Sequence, residues 1–445
     1  MCGIAGFIDK NTHYDTLNTA KRMGNALFTR GPDSSGIWSD NNLGVNLIHR
    51  RLAILDLSVA GHQPMESASG RYIIVFNGEI YNFKDIKQKL VAQHGVINWR
   101  GHSDTEVILC AIETYGFTAT LQLLEGMFAI ALWDRDSQQL LLARDRIGEK
   151  PLYYGFFNGV FGFSSELKAL QKHPKFEASV NRDALGQMML HNCVPTPLSI
   201  FNGIAKLTSG CYLELSYSNY ISGILPEPIS YWCLSEHINA SYAGSPDDAV
   251  NDLERLLTKS IAEQMVSDVP IGCFLSGGVD SSTIAALMQQ QSATPIKTFS
   301  IGFDNSEYNE AEYAKVVAKH LGSDHTELYV SEKDALAVVQ RLPIIYDEPF
   351  SDSSQIPTFL LSQLAKTQVS VSLSGDAGDE LFAGYNRYLH ADNLFSKARQ
   401  IPNWSKPIGL KLLNLCNVNV LEQVARFIKL PTTNLSDKLY KIESL

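Results

Sequence analysis

The order of strands and helices predicted for the second half of the chain limits its fold more than any other feature. An apolar strand at 271–275 runs into a turn with two adjacent glycines, Gly277 and Gly278, and then into a helix at 281–290. The other predicted elements alternate in the same way: a helix at 248–265, strands at 297–301 and 369–373, and helices at 309–321, 333–341, 354–365 and 379–389. Such alternation predicts an α/β domain with a parallel sheet and helices on both faces.

The first half of the chain has a different pattern. Two helices are predicted at 83–91 and 104–115, after the capping residues Asn82 and Ser103. Short apolar stretches between turn residues predict strands at 3–8, 72–76, 128–133, 140–143 and 160–164. This mixture predicts a layered α+β domain.

A polar segment at 216–247, rich in Gly, Pro, Ser and Tyr, separates the two patterns and is typical of a linker. We therefore predict a first domain at residues 2–210, a linker at 211–246 and a second domain at 247–445.

Charge and composition exclude several classes of protein. The 37 Lys and Arg against 47 Asp and Glu give a net charge of −10, whereas general binding to nucleic acid or to an anionic membrane usually needs a basic surface. No run of about 18 apolar residues predicts a membrane span. The seven cysteines form no CxxC pair, and the N-terminus does not have the pattern of a signal peptide. We expect a cytoplasmic protein without nucleic-acid or membrane partners.

The double-glycine turn has the composition of a phosphate site. Two glycines let the backbone turn tightly, and the next helix directs its N-terminal N–H groups and nearby serine hydroxyls toward an anion. Asp280 would hold Mg²⁺ beside a phosphate. The segment has no GxxxxGK[ST] pattern and is therefore not a Walker A loop. Its residues are Ser276-Gly277-Gly278-Val279-Asp280-Ser281-Ser282.

Cys2 is a candidate nucleophile. If Met1 is removed, Cys2 has both a thiol and a free α-amine, whose ordinary pKa of about 7.7–8.0 suits a base that activates the thiol. One residue would then supply nucleophile and base. The alternative is an ordinary small residue in the first strand.

Five other positions have chemistry that would serve such a nucleophile. The Asn77 amide and the Gly78 N–H, at the end of strand 72–76, would form an oxyanion hole; alternatively, they form a hairpin turn. Arg51 would bind a substrate carboxylate with two hydrogen bonds, or is a surface cation. Glu79 and Asp104 would hold an ammonium group, although Asp104 is also typical of an acid at a helix N-terminus.

Taken in order, the N-terminal motifs resemble class II glutamine amidotransferase domains. The motifs are Met1-Cys2-Gly3-Ile4-Ala5-Gly6, Arg30-Gly31-Pro32-Asp33, His49-Arg50-Arg51-Leu52, Phe76-Asn77-Gly78-Glu79-Ile80-Tyr81-Asn82 and Ser103-Asp104-Thr105-Glu106. The resemblance implies the four-layer αββα fold of N-terminal-nucleophile hydrolases. It also implies that Cys2 attacks the glutamine amide while Asn77 and Gly78 stabilise the oxyanion. The glutamine-binding residues that it implies are Arg51 for the α-carboxylate, Glu79 and Asp104 for the amino group, and Ile54, Leu55 and Asn77.

Four other segments resemble the asparagine synthetase branch of this class. Segments 144–153 and 163–168 carry that resemblance in the first domain, and 276–282 resembles the PP-loop of ATP pyrophosphatases. Segment 373–385 matches a second strand-to-helix turn of the same synthetase domain, although an acidic helix N-terminus is its alternative.

The resemblance implies an adenine nucleotide α-hydrolase-like second domain that uses ATP and Mg²⁺. It places Asp280 and Asp379 at the Mg²⁺ ion and Asp376 in the acyl-transfer step. The ATP-binding residues that it implies are Leu275, Ser276, Gly277, Gly278, Asp280, Ser281, Ser282, Ile301, Ser374 and Gly375.

The implied function is glutamine-dependent asparagine synthesis with glutamine, ATP and aspartate as substrates. Position 376 is Asp, whereas well-studied asparagine synthetases have Glu there. The shorter acid also occurs in relatives that amidate other carboxylates, so a sugar uronate or another acid is an alternative acceptor.

The chain ends at Leu445 without the later segments of the family, and a third hypothesis is a truncated protein that binds nucleotide or a partner without synthesis. A homodimer is left open.

Overall fold

The computed structural model describes residues 2–10, 13–238, 241–303, 310–385, 388 and 396. Contacts divide the chain into two compact units, Met1–Gly375 and Asp376–Leu445. Each unit is described by itself. Across the residues that are described, no helix combines the length and the apolar composition that crossing a membrane requires.

Two antiparallel sheets of six strands form the centre of the first half of the chain, in the orders β10-β8-β9-β1-β3-β2 and β12-β11-β7-β6-β5-β4. The strands are β1 (Gly3–Ile8), β2 (Ser34–Asp40), β3 (Val45–Arg51), β4 (Met65–Glu66), β5 (Tyr72–Ile80), β6 (Gly126–Asp134), β7 (Gln139–Arg144), β8 (Tyr153–Phe157), β9 (Val160–Ser164), β10 (Ile204–Lys206), β11 (Cys211–Ser216) and β12 (Ile229–Ser230). The helices of this region are α1 (Thr16–Ala26), α2 (Phe83–His94), α3 (Asp104–Tyr115), α4 (Phe117–Leu123), α5 (Leu167–Leu170), α6 (Arg182–His191) and α7 (Tyr217–Ser222).

The two sheets pack face to face. Side chains point alternately to the two faces of a strand, and one set from each sheet forms a shared core. Ile4 and Ile8 of β1 pack there with Val75 of β5 and Ala131 of β6. The same alternation directs Cys2 and Asn77 toward this inner layer, because each is two residues from one of those core positions.

Helices cover the outer face of each sheet. Phe7 of β1 packs with Met23 of α1, and Phe76 of β5 packs with Ile108 of α3. These side chains alternate with those of the inner core, so each strand contributes to two layers. The predicted αββα arrangement is confirmed.

The segment predicted as a linker contains regular structure. It begins with β11, which pairs with β7 and with β12, and α7 lies between β11 and β12. Tyr220 and Tyr231 are buried, and the Tyr231 hydroxyl donates to the Arg144 carbonyl at 2.8 Å. The polar composition concealed these elements because the aromatic rings supply the buried apolar surface.

A parallel four-stranded sheet in the order β15-β14-β13-β16 organises the second half of the chain. Cys273 of β13 packs with Ala285 on one face of the sheet, and the next residue, Phe274, packs with Leu361 on the other. The prediction of an α/β domain is confirmed. Its elements are α8 (Pro246–Gln264), β13 (Ile271–Phe274), α9 (Val279–Gln291), β14 (Lys297–Phe303), α10 (Ala311–Leu321), β15 (Asp324–Val330), α11 (Glu332–Val339), α12 (Leu342–Ile345), α13 (Gln355–Ala365) and β16 (Val371–Leu373).

The second unit contains α14 (Gly378–Phe382), which is much shorter than the predicted helix at 379–389. Ala383 follows α14 in the left-handed conformation, with φ of 56°, and this ends the helical turn. Most later residues of that prediction lie outside the described part of the chain.

Candidate active sites

Cys2 lies immediately before β1 and is held by two neighbouring segments. Its Sγ accepts a hydrogen bond from the Leu52 N–H at 3.4 Å. Its carbonyl accepts one from Arg30 Nε at 2.9 Å, and the Arg30 guanidinium also pairs with Glu166 at 3.1 Å. Burial raises the pKa of the Cys2 thiol, and the Leu52 N–H opposes that rise. The thiol therefore requires a base to become a nucleophile at neutral pH.

One edge of β5 is open to the space in front of Cys2, because β4 covers only the first part of that edge. Farther along, the Phe76 N–H donates to Gln63 Oε1 at 2.7 Å. The Ile80 N–H donates to Asp104 Oδ2 at 2.9 Å. Backbone N–H groups alternate sides along an antiparallel strand, so the Gly78 N–H, midway between these two, points to the same open edge.

The prediction of a strand end or a hairpin turn at Asn77 and Gly78 was wrong, because β5 continues to Ile80 and both residues pair with β6. A Cβ added to Gly78 would lie 2.1 Å from the Met127 carbonyl oxygen. Glycine is required here for close strand pairing, not for a turn.

The Asn77 side chain is fully buried, and neither its Oδ1 nor its Nδ2 has a hydrogen-bond partner among the described residues. An unpaired buried amide costs roughly 1–3 kcal/mol. Such a group in a folded protein requires an explanation, and a substrate oxygen that accepts from Nδ2 supplies one.

Arg51 orders the loop that follows β3. Its Nη1 donates to the Ser58 carbonyl at 3.0 Å, and its Nη2 donates to the carbonyls of Leu55, at 3.1 Å, and Asp56. A guanidinium has five N–H donors, so these three bonds leave Nε–H and one Nη1–H for a substrate carboxylate. A Cβ on Gly61 would lie 2.0 Å from Arg51 Nη2, so only glycine fits beside the guanidinium.

Glu79, which is half-buried, and Asp104, which is buried, form a pair of neighbouring carboxyl groups. Burial raises the pKa of Glu79, and the neighbouring Asp104 raises it further. Burial also raises the pKa of Asp104 to about 6, against the opposing hydrogen bonds from the Ile80 and Thr105 N–H groups. An ammonium group bound between the two would replace the proton that they otherwise retain.

We expect the loss of glutamine hydrolysis at acidic pH, the acid limb of its pH profile, to reflect protonation of Glu79 and Asp104. As the pH falls through about 6, the pair takes up protons, the attraction for an ammonium group weakens, and KM for glutamine should rise by about tenfold per pH unit. Steady-state kinetics between pH 5 and 8 would measure it. Asp104→Asn should remove most of the acid limb; an identical pH profile in that variant would contradict the assignment.

These side chains border one small cavity of about 30 Å³. It brings together Cys2, Arg51, Ile54, Leu55, Gly78, Glu79 and Asp104 from the sequence prediction, with Asn77 buried next to Gly78. Its other lining residues are Leu52, Gly61, Gln63, Phe76, Ser103 and Thr105. Leu52, Phe76, Ser103 and Thr105 belong to the sequence motifs without an assigned role in the site, and Gly61 and Gln63 lie outside every motif. Gln63 acts through its side-chain oxygen and has no recognisable sequence signal.

The second candidate site is the turn between β13 and α9. Helix α9 starts at Val279, two residues earlier than predicted, which places Asp280 in its first turn. Ser276 Oγ accepts from the Gly278 N–H at 3.3 Å and contacts Ser281 Oγ at 2.9 Å. The Ser282 hydroxyl is buried with no partner among the described residues. The N-terminus of this 13-residue helix, together with the unpaired Ser282 hydroxyl, would suit a phosphate group.

The order of the parallel strands supports the same location. The chain continues from β13 to β14 on one side and returns with β16 on the other, and ligands of open α/β sheets bind at the carboxyl ends of strands where the order reverses. Gly375 comes shortly after β16 in the chain and packs against the start of α9, where a Cβ on it would lie 2.7 Å from the Ser281 nitrogen. Leu275 is buried at the end of β13, and Ile301 lies half-buried in β14.

Gly277 should be the most sensitive position of this turn. Its φ is +83°, and a Cβ would lie 2.6 Å from the Ala314 nitrogen, so Gly277→Ala combines backbone strain with a collision that α10 does not easily relieve. We expect ATP-dependent pyrophosphate release to fall at least about tenfold, equivalent to the 1–2 kcal/mol of strain. Glutamine hydrolysis should be unchanged.

Gly322→Ala is the matched control for Gly277→Ala. Gly322 has a similar φ of +69° at the end of α10, but nothing lies within 4 Å of an added Cβ. Equal losses of pyrophosphate release in both variants would contradict a specific role of the Gly277 turn.

Asp280, in the first turn of α9, is the candidate Mg²⁺ ligand of the first unit. Among the residues that the structure describes, no group of three or more His, Cys, Asp or Glu side chains forms a metal site. A single carboxylate with substrate phosphates is a usual Mg²⁺ environment, and Asp280 has the position for it. Asp376 and Asp379 belong to the second unit, and Ser374 closes the first with Gly375.

Comparison with known proteins gives matches over both halves. The family model described as glutamine amidotransferase domain matches residues 1–224, and the one described as asparagine synthase matches 252–441. Putative asparagine synthetase [glutamine-hydrolyzing] 2 of Methanocaldococcus jannaschii is 35% identical over 438 residues, covering 93% of this chain and 81% of the relative. Asparagine synthetase [glutamine-hydrolyzing] 1 of Bacillus subtilis is 32% identical over 394 residues, covering 87% of this chain.

The chain spans 59% of the length of that B. subtilis relative. Among solved structures, a glutamine phosphoribosylpyrophosphate amidotransferase from B. subtilis matches with a TM-score of 0.39 and 13% identity, covering 75% of this chain and 91% of its own.

Proposed function

Because the chain belongs to the family of glutamine-hydrolysing asparagine synthetases, we propose that it hydrolyses glutamine at Cys2 and uses the ammonia to amidate an acid activated by ATP. The observation that carries the first half is that Cys2 lies beside an open β5 edge, where the buried Asn77 amide has no partner among the described residues. Residues 1–224 and 252–441 would then carry one half-reaction each.

Glutamine hydrolysis would begin at the Cys2 thiol. After removal of Met1, the α-amine of Cys2 takes the thiol proton, and Sγ attacks the side-chain carbonyl carbon of glutamine. The Gly78 N–H and Asn77 Nδ2 stabilise the negative oxygen of the tetrahedral intermediate. The proton passes to the departing nitrogen, ammonia leaves, and water hydrolyses the Cys2 thioester to glutamate.

The bound glutamine would be oriented by charge at its other end. Arg51 offers its two remaining N–H donors to the α-carboxylate, and the Glu79 and Asp104 pair holds the α-ammonium group. Two opposite charges in one pocket select a free amino acid over a peptide, in which neither group is charged.

The second half-reaction would use ATP at the β13 to α9 turn. Backbone N–H groups of the turn and the Ser282 hydroxyl bind phosphate oxygens. Asp280 would hold Mg²⁺, which would neutralise charge on the phosphates. The acid's carboxylate attacks the α-phosphorus of ATP, pyrophosphate leaves, and ammonia displaces AMP from the acyl-adenylate.

We propose the aspartate side chain as the acceptor, as in the activity named for the relatives. Position 376 is Asp, where well-studied asparagine synthetases have the longer Glu. This difference favours a second candidate, an acceptor of a different size such as a sugar uronate. Pyrophosphate release should be measured with ATP, glutamine or ammonium, and each acid in turn. Pyrophosphate release with aspartate supports aspartate as the acceptor. Release with a uronate but not with aspartate would make the uronate the acceptor instead. No release with any acid, despite glutamine hydrolysis, would contradict the synthetase half.

A further inference from the structure

Asp268 connects the second half of the chain to the border of the glutamine pocket. It lies between α8 and β13, where its N–H donates to the Ile54 carbonyl at 3.0 Å. Its Oδ2 accepts from the Asp56 N–H at 2.8 Å and contacts His102 Nε2 at 2.8 Å. Three contacts therefore join one residue of the second half of the chain to the pocket of the first half.

Asp268 binds the loop of residues 55–58, called the Asp56 loop, and this loop also holds Arg51. The carbonyls of Leu55, Asp56 and Ser58 accept the hydrogen bonds of the Arg51 guanidinium. Asp56 is fully buried with a φ of +56°, an unfavourable conformation for a non-glycine residue. Surrounding contacts must therefore maintain this conformation.

Hydrogen bonds hold Asp56 at its side chain and at its backbone. Its Oδ1 accepts from the Ser58 N–H at 3.1 Å and from the Ser58 hydroxyl at 2.5 Å, and its Oδ2 accepts from the His102 N–H at 2.8 Å. Its backbone N–H has Asp268 as its partner. Hydrogen bonds from His102 and from the Asp56 N–H hold the pKa of Asp268 below its ordinary value, so it acts as a charged acceptor at neutral pH.

We propose that Asp268 is a positioning residue for glutamine binding, supplied by the ATP-binding half of the chain to the pocket of the glutaminase half. This inference rests on the proposed function. Asp268 acts through the Asp56 loop on the orientation of Arg51, so its removal impairs substrate binding more than it impairs chemistry at Cys2. The glutamine pocket is then complete only when the two halves are docked.

Asp268→Ala tests the positioning role of Asp268 through its separate effects on KM and on kcat for glutamine hydrolysis. We expect KM to rise about tenfold, the loss of one charged hydrogen bond, with kcat within about threefold of the wild type. Ammonia-dependent pyrophosphate release should be unchanged, which also shows that the ATP-binding half is folded. Asp252→Ala, which removes an exposed acid of α8, is the matched control and should change neither reaction.

A second pair of variants keeps the proposal testable if Asp268→Ala does not fold. Asp268→Asn retains an acceptor for the Asp56 N–H and should restore much of the glutamine affinity. His102→Ala removes the other contact to Oδ2 and leaves the acceptor for the Asp56 N–H in place, so it should raise KM by less than about tenfold.

The outcomes separate this inference from the proposed function. If the wild-type protein hydrolyses no glutamine, the proposed function fails. If it hydrolyses glutamine but Asp268→Ala keeps the wild-type KM, or loses kcat alone, only the role of Asp268 is overturned. A rise in KM of about tenfold in Asp268→Asn, which keeps the acceptor for the Asp56 N–H, would also overturn it.

Discussion

Cys2→Ala should abolish glutamine hydrolysis and leave ammonia-dependent chemistry intact. Without Sγ no thioester forms, and the loss should be at least about 10³-fold, because removing a nucleophile removes the covalent pathway entirely. The turn proposed to bind ATP follows a strand of a different sheet, so pyrophosphate release with ammonium should stay within about twofold of the wild type. Glutamate formation and pyrophosphate release would be measured on the same preparation.

Cys193→Ala is the control, because Cys193 is an exposed cysteine outside the cavity lining. It should retain both reactions. Glutamate formation by Cys2→Ala above about 1% of the wild-type rate would contradict the assignment of the nucleophile, whereas a loss of both reactions would point to misfolding.

Asn77→Ala should lower kcat for glutamine hydrolysis by about 10²–10³-fold, the usual effect of removing one oxyanion donor. The structure adds a second expectation. Because neither amide atom of Asn77 has a described partner, the substitution removes an unpaired buried polar group. The free energy of unfolding should therefore stay within about 1 kcal/mol of the wild type.

Asn46→Ala provides the contrast for Asn77→Ala. Asn46 is a buried amide of β3 whose Oδ1 accepts from Ser39 and whose Nδ2 donates to the Gly44 carbonyl. Its loss should destabilise the protein by roughly 1–3 kcal/mol with little effect on kcat per folded molecule. Thermal or urea unfolding with kinetics on each variant measures both quantities. A stable Asn77→Ala protein with normal kcat would contradict the oxyanion role.

Motifs at turns and helix starts predicted the local structure there, because local sequence determines backbone conformation at such positions. The double glycine at Gly277 and Gly278 after an apolar strand predicted a strand-to-helix turn, and the structure has one. Similarly, Ser103 predicted the start of α3, and its side chain caps that helix.

The errors arose where tertiary pairing overrides local preference. An Asn-Gly pair favours a turn, yet Asn77 and Gly78 continue β5 because β6 pairs along its whole length. Strand β15 was missed because polar residues such as Asp324, His325 and Glu327 interrupt its apolar pattern, although β14 pairs with all of it. Pairing between segments distant in sequence has no local signal.

Contacts between the two halves were also beyond sequence reasoning. Asp268 is an unremarkable acid before Pro270 in the chain, and its distance of 212 positions from Asp56 leaves no periodicity to detect. Arg30 belonged to a motif, but its hydrogen bond to the Cys2 carbonyl depends on how α1 places it. Long-range contacts of this kind require coordinates.

The central claim is that nitrogen released at Cys2 reaches an acid activated by ATP on the same chain. The most direct measurement supplies glutamine labelled with ¹⁵N in its side-chain amide, together with ATP, Mg²⁺ and aspartate, and determines the product amide by mass spectrometry. We predict ¹⁵N in the new amide, one pyrophosphate per amide formed, and no labelled product from Cys2→Ala unless labelled ammonium is added. Labelled ammonia and glutamate without any labelled amide, for aspartate and for every other acid tested, would contradict the claim.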